Sequence, residues 1–320
     1  MKKTILVTGG AGYIGSACVA ELHRQGHEVV VFDNLSTGQA QALPKDVPVT
    51  IGDITDKEAL RQLCRQYNFS AVVHCAAKKA VGESERNPSL YFNTNLLGSL
   101  NVLSIMEEFS IPQIIFSSTA AVYAPPRNLK AVSEDSPLEP VNVYGHSKLM
   151  VEQLIREYAR LGKIKQYTIF RYFNVAGDAG LLYQERNAQN VFPLLVSAIT
   201  SGQTFYIFGA DYETKDGTGV RDYIHLNDLV RAHLLALEGE VSGIFNLGSG
   251  SGFSVRELIN EFEAASGLKL QAEIAPRRAG DPASLIAESS LAQQQLHWQP
   301  KSTLKDMVKS TLAAYTPPNL

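Results

Sequence analysis

The fold of this chain is decided by residues 4–16, which read TILVTGGAGYIGS. A short β-branched run ends there in closely spaced glycines, and an apolar stripe at helical spacing follows. Glycines in this pattern permit a tight turn, and they let backbone N–H groups approach a pyrophosphate at a helix N-terminus. The alternative is a glycine turn that binds nothing. We predict a dinucleotide site that includes Gly9, Gly12, Tyr13, Ile14 and Gly15.

The acidic residues after the next strands bear on which dinucleotide fits. The second apolar run ends at Asp33, about 20 residues after the glycine turn. A carboxylate there accepts hydrogen bonds from an adenosine ribose and repels a 2′-phosphate, which favours NAD over NADP. Asp53 follows the third run. It either contacts the adenine amino group or caps the next helix, and the sequence leaves both interpretations open.

Short β-branched runs alternate with helical patterns as far as residue 172. This alternation is typical of repeated βαβ units around a parallel sheet. The runs lie at 5–8, 28–32, 47–52, 71–75, 113–117 and 167–172, and the helical patterns lie at 14–25, 57–67, 88–109 and 144–161. We predict an α/β fold with a doubly wound parallel sheet of the Rossmann type. Its NAD-binding domain spans 1–175, and a smaller substrate-binding region, partly interleaved with it, spans 176–320.

The composition excludes several kinds of protein. The chain has 320 residues, of which 45% are hydrophobic, and its formal net charge of -3 leaves no basic excess for a nucleic acid. Cys18, Cys64 and Cys75 lie within or beside apolar runs without metal-like spacing. We predict buried thiols, no metal site and a reducing cytoplasm. The N-terminal apolar run is too short for a signal peptide or a membrane span, so we expect no membrane partner.

A candidate catalytic group lies at Tyr144 and Lys148. The two residues are four positions apart and therefore share one face of a predicted helix. An ammonium beside a phenol lowers the pKa of the phenol and makes it a usable general base. Such a pair is often a surface feature, but here it follows a complete dinucleotide pattern. Thr119 ends a predicted strand at the sheet edge where ligands bind, and it is either the third member of the group or a turn-forming hydroxyl.

Further motifs carry a resemblance to one family. They are GGAGYIGS at 9–16, DNLS at 33–36, KAVGES at 79–84, residues 116–123, YGHSK at 144–148, RYFN at 171–174, DGTGVRDYIH at 216–225 and RRAGD at 277–281. With these motifs the chain resembles the extended short-chain dehydrogenases/reductases over nearly its whole length. The resemblance implies NAD-dependent 4-epimerisation, which interconverts UDP-glucose and UDP-galactose through a 4-keto sugar. Relatives are commonly homodimers, so we expect one.

The same resemblance implies roles for individual residues. Tyr144 is the base, Lys148 holds the nicotinamide ribose and tunes Tyr144, and Thr119 stands where the family usually has serine. The remaining residues expected to contact NAD are Asn34, Ile54, Cys75, Ala76, Ala77, Lys79 and Tyr172. Those expected to contact the UDP-sugar, besides Thr119, are Asn174, Asn190, Val191, Phe208, Arg221, Tyr223, Arg278, Asp281 and Leu285. The two arginines suit the two phosphates because guanidinium groups bind them in a fork.

Several alternatives stay open at this point. A sugar-nucleotide dehydratase or decarboxylase begins with the same oxidation, but the carboxyls that related dehydratases carry after the matching threonine are replaced by Ala120 and Ala121. An NAD-sensing protein without chemistry is a second alternative. A UDP-N-acetylhexosamine or UDP-pentose 4-epimerase is a third, because the same catalytic parts serve any sugar that fits. Arg221 and Asp222, taken alone, also suit an exposed ion pair.

Overall fold

The computed structural model describes residues 2–126, 130–185, 188–278 and 280–316, and in these ranges the chain forms strands and helices in alternation. The strands are β1 (Thr4–Thr8), β2 (Glu28–Asp33), β3 (Val49–Ile51), β4 (Ala71–His74), β5 (Gln113–Thr119), β6 (Gln166–Tyr172), β7 (Asn174–Ala176), β8 (Phe205–Phe208), β9 (Val220–His225), β10 (Gly243–Leu247), β11 (Gly252–Ser254), β12 (Ala272–Ala275) and β13 (Ser284–Leu285). The helices are α1 (Tyr13–Arg24), α2 (Lys57–Cys64), α3 (Val81–Arg86), α4 (Pro88–Tyr91), α5 (Gly98–Glu108), α6 (Val143–Arg160), α7 (Val191–Ser201), α8 (Leu226–Glu238), α9 (Val255–Ser266), α10 (Ser290–Leu296) and α11 (Leu304–Tyr315).

A seven-stranded parallel sheet forms the centre of the molecule, in the order β10-β6-β5-β4-β1-β2-β3. Alternate residues of its strands face opposite layers: Val7 packs with α1 and α8, whereas Leu6 packs with α2 and α5. Because helices cover both faces, the central strands consist largely of apolar residues, with polar ones concentrated toward their carboxyl ends. The predicted doubly wound α/β fold is confirmed.

The structure corrects several predicted boundaries. The third strand is limited to Val49–Ile51, shorter than the predicted 47–52, and helix α2 ends before the predicted residue 67. The predicted helix 88–109 is helical throughout to Glu108, but residues Phe92–Leu97 between α4 and α5 form a π-helix. A π-helix inserts an extra residue per turn, which apolar periodicity does not reveal.

The chain beyond residue 175 contributes to more than one layer. Strand β10 joins the central sheet beside β6, while β9 pairs with β7, β11 and β13 in a separate four-stranded sheet. Helices α7, α9 and α11 cover that second sheet with an apolar cluster that includes Phe192, Tyr223, Phe262 and Met307. A short parallel pair, β8 and β12, lies at its side. Among the helices of the described ranges, none has the length and apolar composition that crossing a bilayer requires.

A buried ion pair joins the central sheet to α6. Glu152 of α6 and Arg171 of β6 lie 2.7 Å apart, and each side chain is only 2% exposed. Ser118 of β5 donates a hydrogen bond to Glu152, and the Arg171 guanidinium donates to the Tyr123 hydroxyl at 3.0 Å. Tyr123 in turn donates to Asn246 Oδ1 of β10 at 2.6 Å. The pair therefore fixes α6 against three neighbouring strands.

We predict that Glu152→Gln lowers the free energy of unfolding by about 3–5 kcal/mol, because it leaves the buried Arg171 charge without its counter-charge. The matched control is Glu157→Gln on the same helix, where an exposed pair with Arg160 is lost. That control should change stability by less than about 1 kcal/mol. Urea denaturation of both variants measures the difference, and equal effects would contradict the role assigned to the buried pair.

Candidate active site

The carboxyl ends of four central strands meet at one edge of the sheet. Thr8 of β1 lies beside His74 of β4, and Thr119 of β5 lies beside Tyr172 of β6. In open parallel sheets this edge is where ligands bind, because the chain turns away to opposite faces and leaves a crevice. The glycine turn after β1 and the N-terminus of α6 border this crevice.

The glycine turn requires its glycines for close packing. Gly9 has φ +69°, and a Cβ there would lie 2.5 Å from Ala76 N. A Cβ on Gly15 would lie 2.1 Å from the Gly9 carbonyl oxygen. At Gly12 the only near atom is that same oxygen, at 3.3 Å. Helix α1 begins after Gly12 with neither a side-chain cap nor an acidic residue in its first turn, so its N-terminus fits a pyrophosphate.

Asp33 lies at the end of β2, as predicted, and is buried. Its carboxylate accepts hydrogen bonds from Ala11 N at 2.9 Å and Leu35 N at 2.8 Å, so it also fixes the glycine turn. The capping interpretation of Asp53 is wrong, because the side chain that caps α2 is Asp56. Asp53 instead accepts from Thr55 and, at 2.7 Å, from Asn34 Nδ2.

The predicted catalytic residues come together at the crevice. Tyr144 lies in the first turn of α6, and a hydrogen bond from the Thr119 side chain lowers its pKa. Lys148 is buried one turn later and donates from Nζ to the Ser117 carbonyl at 2.7 Å. Thr119 Oγ1 also accepts from Ala121 N at 3.1 Å, so its turn-forming role is present as well.

The expected effect of Lys148 on Tyr144 is not what the structure shows. Desolvation dominates and raises the pKa of Tyr144 to about 12, with Thr119 as the only group that lowers it. Burial likewise lowers the pKa of Lys148 to about 8, against the opposing effects of Cys75 and Glu152. The Lys148 ammonium is directed at the Ser117 carbonyl rather than at the phenol, which explains the difference.

The segment after β4 lines the crevice beside the glycine turn. Cys75 N donates to the Thr8 carbonyl at 2.9 Å, and the alanines 76 and 77 follow. Cys18 and Cys64 are buried, as predicted, and Cys75 is partly exposed. Cys18 of α1 hydrogen-bonds Cys75, and this contact together with burial raises the pKa of the Cys18 thiol. Two cysteines distant in sequence are therefore neighbours.

Tyr172 directs its hydroxyl into the core. The oxygen lies 3.0 Å from Ser117 Oγ and 2.7 Å from His233 Nε2. Ile54 is also a core residue, since its side chain packs against Gly98. The Ile54 side chain and the Tyr172 hydroxyl are thus engaged within the protein, and the contacts of both residues with the cofactor stay predictions.

Residues 178–185, which we call the strap, connect the crevice to the C-terminal helix. The Tyr183 ring contacts that of Tyr13 at 5.8 Å, and Gln39 Nε2 donates to the Gln184 carbonyl. Glu185 forms an ion pair with Lys79, so Lys79 is engaged by the strap. The other side of the strap is bound to α11, because Glu185 N donates to the Tyr315 hydroxyl at 2.9 Å.

The predicted nucleotide residues lie on the second sheet and its loops. Arg221 forms an ion pair with Asp281, so the interpretation of Arg221 and Asp222 as a pair is wrong. Asp222 is buried and accepts hydrogen bonds from the backbone of Ser249, Gly250 and Ala287. The Arg278 guanidinium lies 4.0 Å from the Phe208 ring centroid. Ala279 of this motif lies outside the described residues.

The remaining predicted residues differ in how accessible they are. Asn174 is exposed and donates to the Asp222 carbonyl at 3.0 Å, while Asn190 is exposed where α7 begins at Val191. Tyr223 is buried in the apolar cluster under the second sheet, so its ring is a packing element. Leu285 of β13 pairs with Arg221 of β9. Its side chain packs against an apolar cluster that includes Ala120, the residue that follows Thr119 in the chain.

The structure adds residues that sequence reasoning missed. Asn95, in the π-helix, accepts from Lys78 N at 2.8 Å and donates to Ser147 Oγ at 2.9 Å, which joins the crevice loop to α6. Buried His74 contacts Thr8 Oγ1 at 2.6 Å and Ser99 Oγ at 2.8 Å. The sequence offered one signal for Asn95, a polar residue within an apolar helical stripe. It could not reveal the partners Lys78 and Ser147, because they are distant in sequence.

Comparison with known proteins agrees with this geometry. The family described as the NAD dependent epimerase/dehydratase family matches residues 5–248. A Corynebacterium glutamicum protein named UDP-glucose 4-epimerase is 42% identical, over 97% of this chain and 94% of its own. The structure of UDP-glucose 4-epimerase from Bifidobacterium longum in complex with NAD+ and UDP is 35% identical, with a TM-score of 0.90 over 99% of this chain and 100% of that one. The structure of the UDP-Glc/GlcNAc 4-epimerase from Campylobacter jejuni is 39% identical, with a TM-score of 0.85 over 98% of each chain.

The buried imidazole of His74 predicts a loss of stability in acid. Burial, and to a lesser extent Lys148, lowers the pKa of His74 to about 3. Between about pH 6.5 and 3, His74 is therefore protonated in the unfolded chain and neutral in the folded chain. The free energy of unfolding consequently falls as the pH falls. His74→Asn should reduce this loss by about 1 kcal/mol per pH unit.

Urea denaturation between pH 7 and pH 5 measures this slope. The control is His146→Asn, which changes an exposed histidine on α6 and should leave the slope unchanged. A His74→Asn slope equal to that of the unaltered protein would show that His74 is protonated in the folded state.

Proposed function

The chain belongs to the NAD dependent epimerase/dehydratase family, and from this premise we propose that it interconverts UDP-glucose and UDP-galactose with Thr119, Tyr144 and Lys148 at the reacting carbon. The resemblance seen in the motifs is thereby confirmed, and NAD is the cofactor. The observation that carries the catalytic assignment is the contact of Tyr144 with Thr119, one helical turn from Lys148, at the edge of the sheet that carries the glycine turn.

The proposed chemistry follows from proton positions. Tyr144 removes the proton of the sugar C4 hydroxyl, and Thr119 hydrogen-bonds the same oxygen. NAD bound at the glycine turn would supply the acceptor and donor of the hydride at C4. The resulting 4-keto sugar must turn its other face before it is reduced. Tyr144 then gives the proton back to the C4 oxygen.

Lys148 supplies the positive charge that this proton transfer needs. The phenol has a pKa of about 12 in the described state, too high for a general base at neutral pH. Lys148 has a pKa of about 8 and keeps its proton at neutral pH. If the Lys148 ammonium moved from the Ser117 carbonyl toward Tyr144, it would place a cation near the phenolate. That cation would lower the pKa of Tyr144.

The substrate is held by its nucleotide rather than by its sugar. Arg221 and Arg278 bind the diphosphate, Phe208 stacks on the uracil, and Asp281 accepts from a ribose hydroxyl. Asn174, Asn190 and Val191 border the sugar and diphosphate. Few contacts to the hexose leave it free to rotate about the bonds to the diphosphate, which the mechanism requires. The Arg221–Asp281 pair must open for both residues to take these roles.

Several expectations remain predictions. They are the division into regions 1–175 and 176–320, the homodimer, the cytoplasmic location and the absence of a nucleic-acid partner. Among the alternative activities, turnover of the N-acetylated sugars has a specific observation in its favour. A similar structure is that of a UDP-Glc/GlcNAc 4-epimerase, and leucine at position 285 is smaller than an aromatic residue.

We predict that Tyr144→Phe lowers turnover of UDP-galactose at least about 100-fold, the lower range for loss of a general base, while the folded protein keeps its NAD. The measurement is kcat with UDP-galactose, together with the NAD released on denaturation. Tyr158→Phe, on the same helix and away from the crevice, is the control and should retain activity. Normal turnover by Tyr144→Phe would remove this residue from the mechanism.

A second prediction concerns the sugars that the site accepts. Leu285 packs beside Ala120, so its size should set the room around the hexose. A few methylenes in an apolar pocket discriminate roughly 10–200-fold, and we expect UDP-glucose and UDP-galactose to be preferred, with weak turnover of the N-acetylated pair. Leu285→Tyr should sharpen that preference and Leu285→Gly should relax it.

The ratio of kcat/KM values for the two substrate pairs measures this preference. UDP-xylose, assayed separately, tests the pentose alternative. If neither substitution shifts the ratio, Leu285 is a packing residue and another group sets the sugar range.

A further inference from the structure

Tyr212 has a buried hydroxyl group without a hydrogen-bond partner. The residue is only 6% exposed, and within the described ranges its oxygen has no hydrogen-bond partner. A buried polar group left unpaired costs stability, and native proteins almost always supply a partner. No other buried side-chain oxygen or nitrogen of the described residues is left in this state. We therefore infer that a ligand supplies the missing hydrogen-bond partner.

The loop that carries Tyr212 holds the ring in a fixed position. Its amide donates to the Gly217 carbonyl at 2.9 Å, which closes the loop between β8 and β9. The Arg277 guanidinium lies 4.1 Å from the ring centroid. Gly209 has φ +85°, and a Cβ there would lie 2.6 Å from the ring, so the backbone packs directly against it. A ring held this way cannot turn its hydroxyl elsewhere at low cost.

The charged groups around the hydroxyl are those proposed to bind the nucleotide. Burial raises the pKa of Tyr212, Asp281 and Asp211 raise it further, and Arg221 and Arg277 oppose them. The charges of the Arg221–Asp281 ion pair therefore act on the hydroxyl, and the Arg277 guanidinium lies against its ring. The loop also connects the strand that ends at Phe208 to the strand that carries Arg221. Along the chain, Tyr212 thus lies between Phe208, proposed to contact the uracil, and Arg221, proposed to contact the diphosphate.

We propose that the Tyr212 hydroxyl donates a hydrogen bond to a diphosphate oxygen of the UDP-sugar. The inference rests on the proposed function. When Arg221 turns to the diphosphate and Asp281 to the ribose, their ion pair opens, and the diphosphate enters the region whose charges act on the hydroxyl. An anionic oxygen drawn in by Arg221 and Arg277 is then the acceptor nearest to it. This hydrogen bond satisfies the Tyr212 hydroxyl only when substrate is bound, so the hydroxyl is unpaired in the ligand-free protein.

The test is Tyr212→Phe, which removes one oxygen atom and keeps the ring. Isothermal titration calorimetry with uridine, UMP and UDP on the NAD-loaded protein measures binding as phosphates are added. We expect UDP to bind roughly 10- to 100-fold more weakly, the range for a hydrogen bond to a charged group, while uridine binds as before. With UDP-galactose, KM should rise and kcat should stay unchanged. The thermal midpoint without nucleotide should not fall.

The control is Tyr206→Phe on β8, which removes an exposed hydroxyl and should leave UDP affinity unchanged. The inference is overturned if Tyr212→Phe binds UDP like the unaltered protein. It is also overturned if uridine affinity falls as much as UDP affinity, since the contact is then with the nucleoside. If the unaltered protein itself does not bind UDP, the proposed function fails as well.

Discussion

Much of the structure depends on one buried charge pair, that of Glu152 and Arg171. A guanidinium this deep in the protein is tolerated only with a counter-charge and a full set of acceptors. Meeting that requirement joins α6 to β5 through Ser118 and to β10 through Tyr123. Because α6 carries Tyr144 and β5 ends at Thr119, which contacts it, the same pair sets the distance between the two groups proposed to act on the substrate proton.

The fold was largely predictable because its signals are local. A strand, a glycine turn and a helix lie within the first residues, and the apolar runs that follow must be buried on both faces. The π-helix at Phe92–Leu97 was not predictable, since the extra residue per turn serves the distant contacts of Asn95. Strand β3 is likewise shorter than its predicted run, since its register with β2 covers Val49–Ile51 and the flanking residues add only single backbone hydrogen bonds.

The candidate site, like the fold, has features that the sequence could predict and features that it could not. Motif spacing singled out Thr119, Tyr144 and Lys148, which the structure brings together, but it did not predict their partners in the folded protein. Asp53 is held by Asn34 rather than by a helix, Tyr172 directs its hydroxyl inward, and Lys148 is held by a backbone carbonyl. Each of these facts depends on a partner from another strand or loop. Local spacing places a side chain at an edge, whereas its pKa and its partner are properties of the assembled sheet.

The strap has a consequence for how long the cofactor stays. It contacts the three loops that surround the dinucleotide crevice, through Tyr13, Gln39 and Lys79, while α11 holds it from the other side. A dinucleotide bound beneath these contacts would leave only when they break together, so the rate of local opening would limit its exchange. An enzyme that regenerates its cofactor in every cycle loses nothing by slow exchange. The strap would then give a bound dinucleotide a residence time set by the protein's own opening.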